Sequence, residues 1–235
     1  NTLASLHLAG QQGIKWVEID VMLSADGIPV IFHDDYLTRT TSGEGLIHKT
    51  SLQDLKKLDA GSWKDKEYAE QRIPTLREAI EVIAQYKMGL NLELKPCGGL
   101  EEETTAASID VLKQYWPKDL PLLLSSFNYF SLTSARALWP EIQLGYNVSA
   151  IPHAWQSRLE LLKCSGLHIH QSFFNKEQVA EIKAAGYKVL AFTINNESLA
   201  LDLYAQGLDA VFSDYPLQIQ SAISQNNPLK SHAAI

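Results

Sequence analysis

The chain has 235 residues, a formal net charge of −7 and 46% hydrophobic residues, which is enough apolar material for a sizeable core. The acidic balance and the lack of a basic stripe exclude nucleic acid as an expected partner, and no apolar run is long enough for stable membrane insertion. The two cysteines, Cys97 and Cys164, show no metal or redox spacing and favour a reducing, cytoplasmic compartment. The sequence leaves the oligomeric state unknown.

In chain order, strand patterns alternate with helix patterns. Asn1 predicts an N-cap for a first helix that ends before Gly13, and a polar tail is expected at 225–235. The predicted strands cover 16–23, 28–32, 90–95, 122–125, 142–148, 166–170, 187–194 and 209–213. The predicted helices cover 2–12, 51–58, 75–86, 100–115, a segment ending at Leu138, 153–162, 176–185 and 197–206.

This alternation predicts a mostly parallel sheet covered by helices, and the length suits one α/β barrel domain over 1–235. Residues 36–74 form neither a clean strand nor a long helix, so we expect a small insertion over the end of the barrel. The sequence has eight strand candidates, and one more is expected upstream. The total of nine exceeds by one the eight strands of a closed barrel, so one candidate is wrong or lies outside the barrel. The weakest candidate is 142–148.

The stretch WVEIDVMLSADGIPVIFHDD at 16–35 predicts two strands joined by an Asp-Gly turn. Glu18 and Asp20 leave the same face of the first strand, about 7 Å apart. Their carboxylates would repel each other by about 2 kcal/mol at an effective dielectric of about 20. A divalent cation would reverse that cost. An Arg or Lys on a neighbouring strand, or a solvent-facing edge, would relieve it as well.

Three more polar residues stand at or near strand ends: His33 after the second strand, and Glu93 and Lys95 in NLELK. Barrel active sites are built at the carboxyl ends of the strands. Glu18, Asp20 and Glu93 together offer hard oxygen ligands suited to one Mg²⁺ or Ca²⁺, with Mn²⁺ as a further option. Alone, Glu93 and Lys95 could balance each other's charge, and His33 could be a core histidine.

Four other residues are candidates for contact with a substrate. His168 and His170 share one face of a short strand, although at least one of them is expected to be structural. Trp63 and Phe127 could line a substrate mouth, while packing is the commoner role of an aromatic residue.

Several segments together resemble the glycerophosphodiester phosphodiesterase family over essentially the whole chain. They are EIDVMLSADGIPVIFHDDYLTRTTSGEG, DAGSW, RIPTL, NLELKP, LLSSF and AGYKVLAFTIN with GLDAVFSD. The most specific parts are E-x-D, His-Asp and E-x-K. The resemblance implies a TIM (β/α)₈ barrel with a small insertion after the His-Asp strand. It also implies a divalent cation on Glu18, Asp20 and Glu93, a catalytic His33 and a phosphate-binding Lys95.

The chain departs from the family pattern at its start. The family opens with a His-Arg-Gly strand and then Pro-Glu-Asn-Thr, of which Asn1 and Thr2 match only the last two. We therefore expect the first barrel strand, a second catalytic histidine and a phosphate-binding arginine to lie upstream of this sequence.

The function expected from this resemblance is metal-dependent hydrolysis of glycerophosphodiesters, such as glycerophosphocholine or glycerophosphoethanolamine, to an alcohol and sn-glycerol 3-phosphate. In this hypothesis His33 is a general acid or base, and Lys95 stabilises charge in the transition state. Two rivals remain open: a non-catalytic barrel that binds phosphodiesters, and a metal-assisted enzyme that abstracts a proton with Lys95.

Overall fold

The computed structural model describes residues 1–226. Eight strands form one curled sheet: β1 Trp16–Leu23, β2 Pro29–Ile31, β3 Gly89–Leu94, β4 Leu122–Ser126, β5 Gln143–Val148, β6 Gly166–His170, β7 Lys188–Phe192 and β8 Ala210–Val211. The helices are α1 Leu3–Gln11, α2 Leu52–Leu55, α3 Leu76–Gln85, α4 Glu101–Tyr115, α5 Tyr129–Leu138, α6 Trp155–Leu162, α7 Lys176–Ala184, α8 Glu197–Ala205 and α9 Pro216–Asn226. Helix α9 was not predicted from the sequence.

The strand order is β2-β1-β3-β4-β5-β6-β7-β8. All neighbours pair in parallel except β2, which pairs antiparallel with the end of β1. The strand that lies outside the parallel barrel is therefore β2. The weakest candidate of the sequence analysis, 142–148, is a regular member of the sheet as β5. The TIM-barrel fold class is confirmed.

The curled sheet is open between its first and last parallel strands. Within residues 1–226, no ladder joins β1 to β8. A cleft of about 350 Å³ separates the two strands and is lined, among others, by Trp16, Glu18 and Phe212. The upstream strand that the family pattern implies stays a prediction.

Strand alternation separates an apolar outer face from a more polar inner face. On β1 and β3, residues such as Val17, Ile19, Leu90 and Leu92 are buried in the main core together with apolar residues of the covering helices. The alternate positions, which carry the charged side chains, point into the barrel. The core therefore lies between sheet and helices, and the barrel interior is free to hold a polar site.

The insertion after β2 has a small core of its own. Single 3₁₀ turns and α2 enclose a second apolar cluster of Met22, Val30, Phe32, Leu37, Ile47, Leu55, Ala60, Ile73 and Cys97. The Cys97 thiol is buried and donates to Asp35 at 3.5 Å. Burial, with the nearby Asp35 carboxylate, raises the pKa of this thiol to about 12, so no reactive thiolate forms near neutral pH.

Two details at the chain ends differ from the sequence analysis. The prediction of Asn1 as the first N-cap is wrong: Thr2 caps α1 by accepting from the Ser5 N–H, and Ser5 reciprocates. The Asn1 side chain instead binds Asp20. Of the expected polar tail, 225–226 end α9, and 227–235 lie outside the described residues.

Candidate active site

Parallel register brings the carboxylates of β1 and β3 together. Asp20 lies directly opposite Glu93, and Glu18 lies opposite Asn91, one pair of residues deeper in the barrel. One carboxylate oxygen from each of Glu18, Asp20 and Glu93 lies within 4.8 Å of the other two. The three acids form a compact cluster near the carboxyl ends of two adjacent strands, where barrel active sites are found.

This cluster concentrates negative charge in a buried place. Two carboxylates 4.8 Å apart repel by about 3 kcal/mol at an effective dielectric of about 20. Burial, followed by repulsion from Asp20 and Glu93, raises the pKa of Glu18 well above its usual value. Burial and Asp20 likewise raise the pKa of Glu93 to about 7. Bringing these acids together in their charged form is costly without a compensating cation.

The donor set fits one hard divalent cation. Glu18 Oε1 is buried and has no hydrogen-bond partner among the described residues. A buried carboxylate oxygen without a partner is costly, and coordination to a metal would satisfy it. Oxygen ligands from carboxylates suit Mg²⁺, Ca²⁺ or Mn²⁺ better than softer metals.

Three neighbouring side chains hold Asp20 and Glu93 in position. Asn1 donates its amide to Asp20 Oδ2 at 2.8 Å and accepts from the Asp20 N–H at 3.0 Å. Asn147 of β5 donates to Glu93 Oε2 at 3.0 Å. Lys95 Nζ lies 3.7 Å from Asp20 Oδ1. Asn147 was not among the residues predicted from the sequence; the signal for it is a polar side chain at an inward position next to the end of a strand.

His33 follows β2 and is oriented by its neighbour. Its Nδ1 donates to Asp34 Oδ1 at 2.5 Å. Arg39 donates to the same carboxylate, from Nε to Oδ2 and from Nη2 to Oδ1, the latter at 2.9 Å. These hydrogen bonds, with that from Arg39 the strongest, lower the pKa of Asp34 to about 2. Because a carboxylate only accepts, the His33 Nδ1 carries the proton, and Nε2 remains available for proton transfer.

One cavity of about 400 Å³ unites these groups. It is lined by Glu18, Asp20, His33, Asn91, Glu93, Lys95, Phe127, Asn147, Phe192, Thr193 and Phe212. The structure therefore brings together the three acids, His33, Lys95 and Phe127, all of which the sequence analysis had selected. The volume of this cavity lies within the range of small-molecule binding sites.

Trp63 borders a neighbouring cavity. This space of about 310 Å³ is lined, among others, by His33, Arg39, Trp63 and Asp214. The indole is 54% exposed and donates to the Ala60 carbonyl at 3.1 Å. His33 lines both cavities, so the cavity that Trp63 borders adjoins the one that holds the acids.

The two histidines of β6 differ in their surroundings. His168 is only 2% exposed, and burial lowers its pKa to about 3. Its ring packs against Phe212 and fills the space above Gly145, where an added Cβ would lie 2.4 Å from His168 Cε1. This burial argues against the expected substrate contact of His168 and indicates packing instead. His170 is half-buried at the strand end, where its ring contacts Phe173 and Phe192.

The fold and this site define an α/β-barrel enzyme with an acidic cluster, a lysine and an oriented histidine in one cavity. The model of the glycerophosphoryl diester phosphodiesterase family matches residues 1–218. The chain belongs to this family, and the enzyme class expected from the sequence motifs is confirmed.

Individual relatives agree with this assignment. The chain is 31% identical to a glycerophosphodiester phosphodiesterase of Caldanaerobacter subterraneus over 92% of the chain and 88% of that protein. It is 79% identical to an Oleispira antarctica phosphodiesterase solved in complex with the product sn-glycerol-3-phosphate (TM-score 0.94, 95% of this chain, 91% of that chain). A Thermotoga maritima glycerophosphodiester phosphodiesterase structure is 25% identical (TM-score 0.71, 91% and 88%).

Within residues 1–226, no helix combines the length and the apolar character needed to cross a membrane. The cytoplasmic location stays a prediction.

Proposed function

We propose that this protein hydrolyses glycerophosphodiesters, such as glycerophosphocholine or glycerophosphoethanolamine, to an alcohol and sn-glycerol 3-phosphate with the help of one divalent cation. The observation that carries the proposal is the single cavity that joins three clustered carboxylates to Lys95 and His33. The product bound to the similar Oleispira antarctica protein supports sn-glycerol 3-phosphate as the product here.

Glu18, Asp20 and Glu93 would hold the cation, since their oxygens converge and Glu18 Oε1 is otherwise without a partner among the described residues. When bound, a Mg²⁺ or Ca²⁺ ion supplies charge neutralisation for the phosphate and lowers the pKa of a coordinated hydroxyl or water. Asn1 and Asn147 would keep two of these carboxylates in orientation through their amide hydrogen bonds.

Lys95 and His33 supply the remaining charge and the proton transfer. Lys95 projects into the cavity beside Asp20, where its ammonium group can bind a phosphate oxygen as negative charge develops. His33 Nε2 gives a proton to, or takes one from, an oxygen of the reacting phosphodiester. Asp34 fixes the imidazole tautomer and ring direction, and Arg39 fixes Asp34.

Aromatic residues at the edge of the site complete the substrate-binding set. Phe127 lines the same cavity as the acids, and His170 borders it through Phe192. Trp63 lines the neighbouring cavity on the far side of His33. A diester whose phosphate lies at the acidic cluster would extend its two arms towards these two sides.

The test is product formation by the full-length enzyme with glycerophosphoethanolamine. Treatment with EDTA should abolish release of sn-glycerol 3-phosphate, and added Mg²⁺, Ca²⁺ or Mn²⁺ should restore it. Glu93→Gln should lose this restoration, whereas Glu103→Gln, an exposed acid in the first turn of α4, should behave as wild type.

Three results would contradict the proposal. Full hydrolysis in the presence of EDTA would show that the reaction does not need a metal ion. Binding of the diester without any product would favour the non-catalytic barrel, and solvent deuterium exchange without hydrolysis would favour proton abstraction.

A further inference from the structure

One side chain of the loop between β3 and α4 is packed into the core of the insertion. Within residues 1–226, the buried members of the second apolar cluster come from 22–73 with the exception of Cys97, which lies in the loop after β3. The Cys97 thiol is 4% exposed and donates to Asp35 Oδ1 at 3.5 Å. This hydrogen bond connects two segments that lie 62 positions apart in the chain.

Each of the two connected segments carries a polar group of the candidate active site. His33 stands two residues before Asp35, and Lys95 stands two residues before Cys97. Both His33 and Lys95 line the cavity that holds the acids, whereas Cys97 is not one of its lining residues. The thiol therefore lies behind the site, at the point where the two segments meet.

Both segments are anchored on β1 before they reach the thiol. The Phe32 N–H donates to the Asp20 carbonyl at 3.1 Å, and the Lys95 N–H donates to the Val21 carbonyl at 3.1 Å. The hydrogen bond of Cys97 comes after these anchors along both segments. It consequently fixes the direction in which each segment leaves β1.

The chemistry of the pair favours a persistent hydrogen bond. Burial, with the nearby Asp35 carboxylate, raises the pKa of the Cys97 thiol to about 12, so the thiol keeps its proton and remains a donor near neutral pH. The acceptor is a carboxylate, and hydrogen bonds to charged acceptors are stronger than those between neutral groups. Asp35 is itself tied to the insertion, because its carbonyl accepts from the Ile47 N–H at 3.0 Å.

We propose that Cys97 is a positioning residue, whose hydrogen bond to Asp35 holds Lys95 and His33 at the separation that the reaction needs. This inference rests on the proposed function, because it uses the roles given there to Lys95 and His33. Cys97 does not touch the reacting atoms and acts only through the two segments. A misplacement of about 1 Å can lower the rate of an enzyme by about a hundredfold, so even a weak hydrogen bond can matter for turnover.

Two substitutions of Cys97 distinguish positioning from packing. Valine keeps an apolar side chain of similar volume and removes the donor, whereas serine keeps a donor and loses apolar contact. Cys97→Val should lower kcat for glycerophosphoethanolamine by about tenfold and keep the wild-type Tm. Cys97→Ser should retain most of kcat although its Tm falls, since a hydroxyl replaces the thiol in an apolar cluster. A cysteine that only packs would give the opposite order of activities.

Substitutions of Asp35 test the same hydrogen bond from its exposed side, where the core is not disturbed. Asp35→Ala removes the acceptor and should lower kcat about as much as Cys97→Val does. Asp35→Asn removes the charge but keeps an oxygen acceptor, so it should retain most of kcat. The double variant Cys97→Val/Asp35→Ala should lose no more than either single variant, because both changes break one interaction.

Each series has a matched control in the chain. Cys164→Val changes the other buried cysteine, which belongs to the main core, and should keep the wild-type kcat. Glu44→Ala removes an exposed acid of the insertion and should also keep it. All variants are measured in the full-length enzyme, with whichever of Mg²⁺, Ca²⁺ and Mn²⁺ gives the highest wild-type activity.

The outcomes separate this inference from the proposed function. A wild-type kcat in Cys97→Val, equal losses in Asp35→Ala and Asp35→Asn, or additive losses in the double variant would each overturn the role of Cys97 and leave the proposed function intact. If Cys97→Val does not fold, the two Asp35 variants decide the question. Failure of the wild-type enzyme to release sn-glycerol 3-phosphate would overturn both.

Discussion

His33 donates its Nδ1 proton to Asp34 across 2.5 Å, so the catalytic candidate and its orienting carboxylate are adjacent residues of the chain. Arg39 donates to both carboxylate oxygens of Asp34, through Nε to Oδ2 and through Nη2 to Oδ1, and so holds this carboxylate in its orientation. The consequence is an imidazole whose Nε2 is the nitrogen without a proton and whose ring direction is set by its hydrogen bond to Asp34, which Arg39 holds in place.

Asp34→Asn should lower kcat by about tenfold to a hundredfold and leave KM nearly unchanged, because an amide no longer specifies the Nδ1–H tautomer. His33→Ala should lower turnover by about a hundredfold or more and retain the cation. The double variant should lose little more than His33→Ala alone, which a double-mutant cycle measures. Asp54→Asn, an exposed acid on α2, is the control. Additive losses would mean that Asp34 does not act through His33.

Glu93→Gln should change metal binding and stability in opposite directions. Without cation, the variant should melt at a higher temperature than the wild type, because one buried negative charge next to Asp20 is gone. A gain of about 1 kcal/mol corresponds to roughly 2–4 °C for a domain of this size. The rise of Tm on addition of Mg²⁺ or Ca²⁺ should shrink, with affinity at least about tenfold weaker by calorimetric titration. Equal affinity of the variant and the wild type for the cation would show that Glu93 is not a ligand of the cation.

His168 should make the fold sensitive to acid. Burial lowers its pKa to about 3 in the folded protein, against an ordinary value of 6.5. Between these two values the unfolded chain binds a proton that the folded chain does not, so stability falls as pH falls. One such proton contributes up to about 1.4 kcal/mol per pH unit.

His168→Leu should therefore flatten the dependence of unfolding free energy on pH between 6 and 4.5, measured by urea denaturation at a series of pH values. The quantity compared is the slope of unfolding free energy against pH, and not the absolute stability of the variant. His153→Gln changes an exposed histidine and should keep the wild-type slope. An unchanged slope in His168→Leu would show that His168 is protonated in the folded state.

Gly145→Ala should destabilise the barrel, because the new Cβ would lie 2.4 Å from His168 Cε1 in a packed interior. Overpacking of this kind typically costs about 1–3 kcal/mol. Gly98→Ala is the matched control, since no atom lies within 4 Å of a Cβ at Gly98. Equal thermal stability of the two variants would mean that His168 moves aside at little cost.

The sequence by itself determined where the helices and strands lie and which face of each strand carries the polar residues. Alternation along β1 and β3 places Glu18, Asp20 and Glu93 on one face because side chains of a strand point to opposite sides in turn. Hydrophobic runs between turn residues located the strands, since that pattern is local. The same local character explains the cap error: Asn1 and Thr2 are both good N-cap residues, and only the position of Asp20 decides which of them caps α1.

Tertiary structure alone decided which residues meet. The register of β1 against β3 sets Asp20 opposite Glu93, and β5 contributes Asn147 from 54 residues further along the chain. Curling of the sheet carries Phe127, Phe192 and Phe212 to the cavity of the acids, while His168, two residues before His170, is sealed below it. These relations depend on strand pairing and burial between distant segments, and such contacts leave no periodic trace in the sequence of either segment.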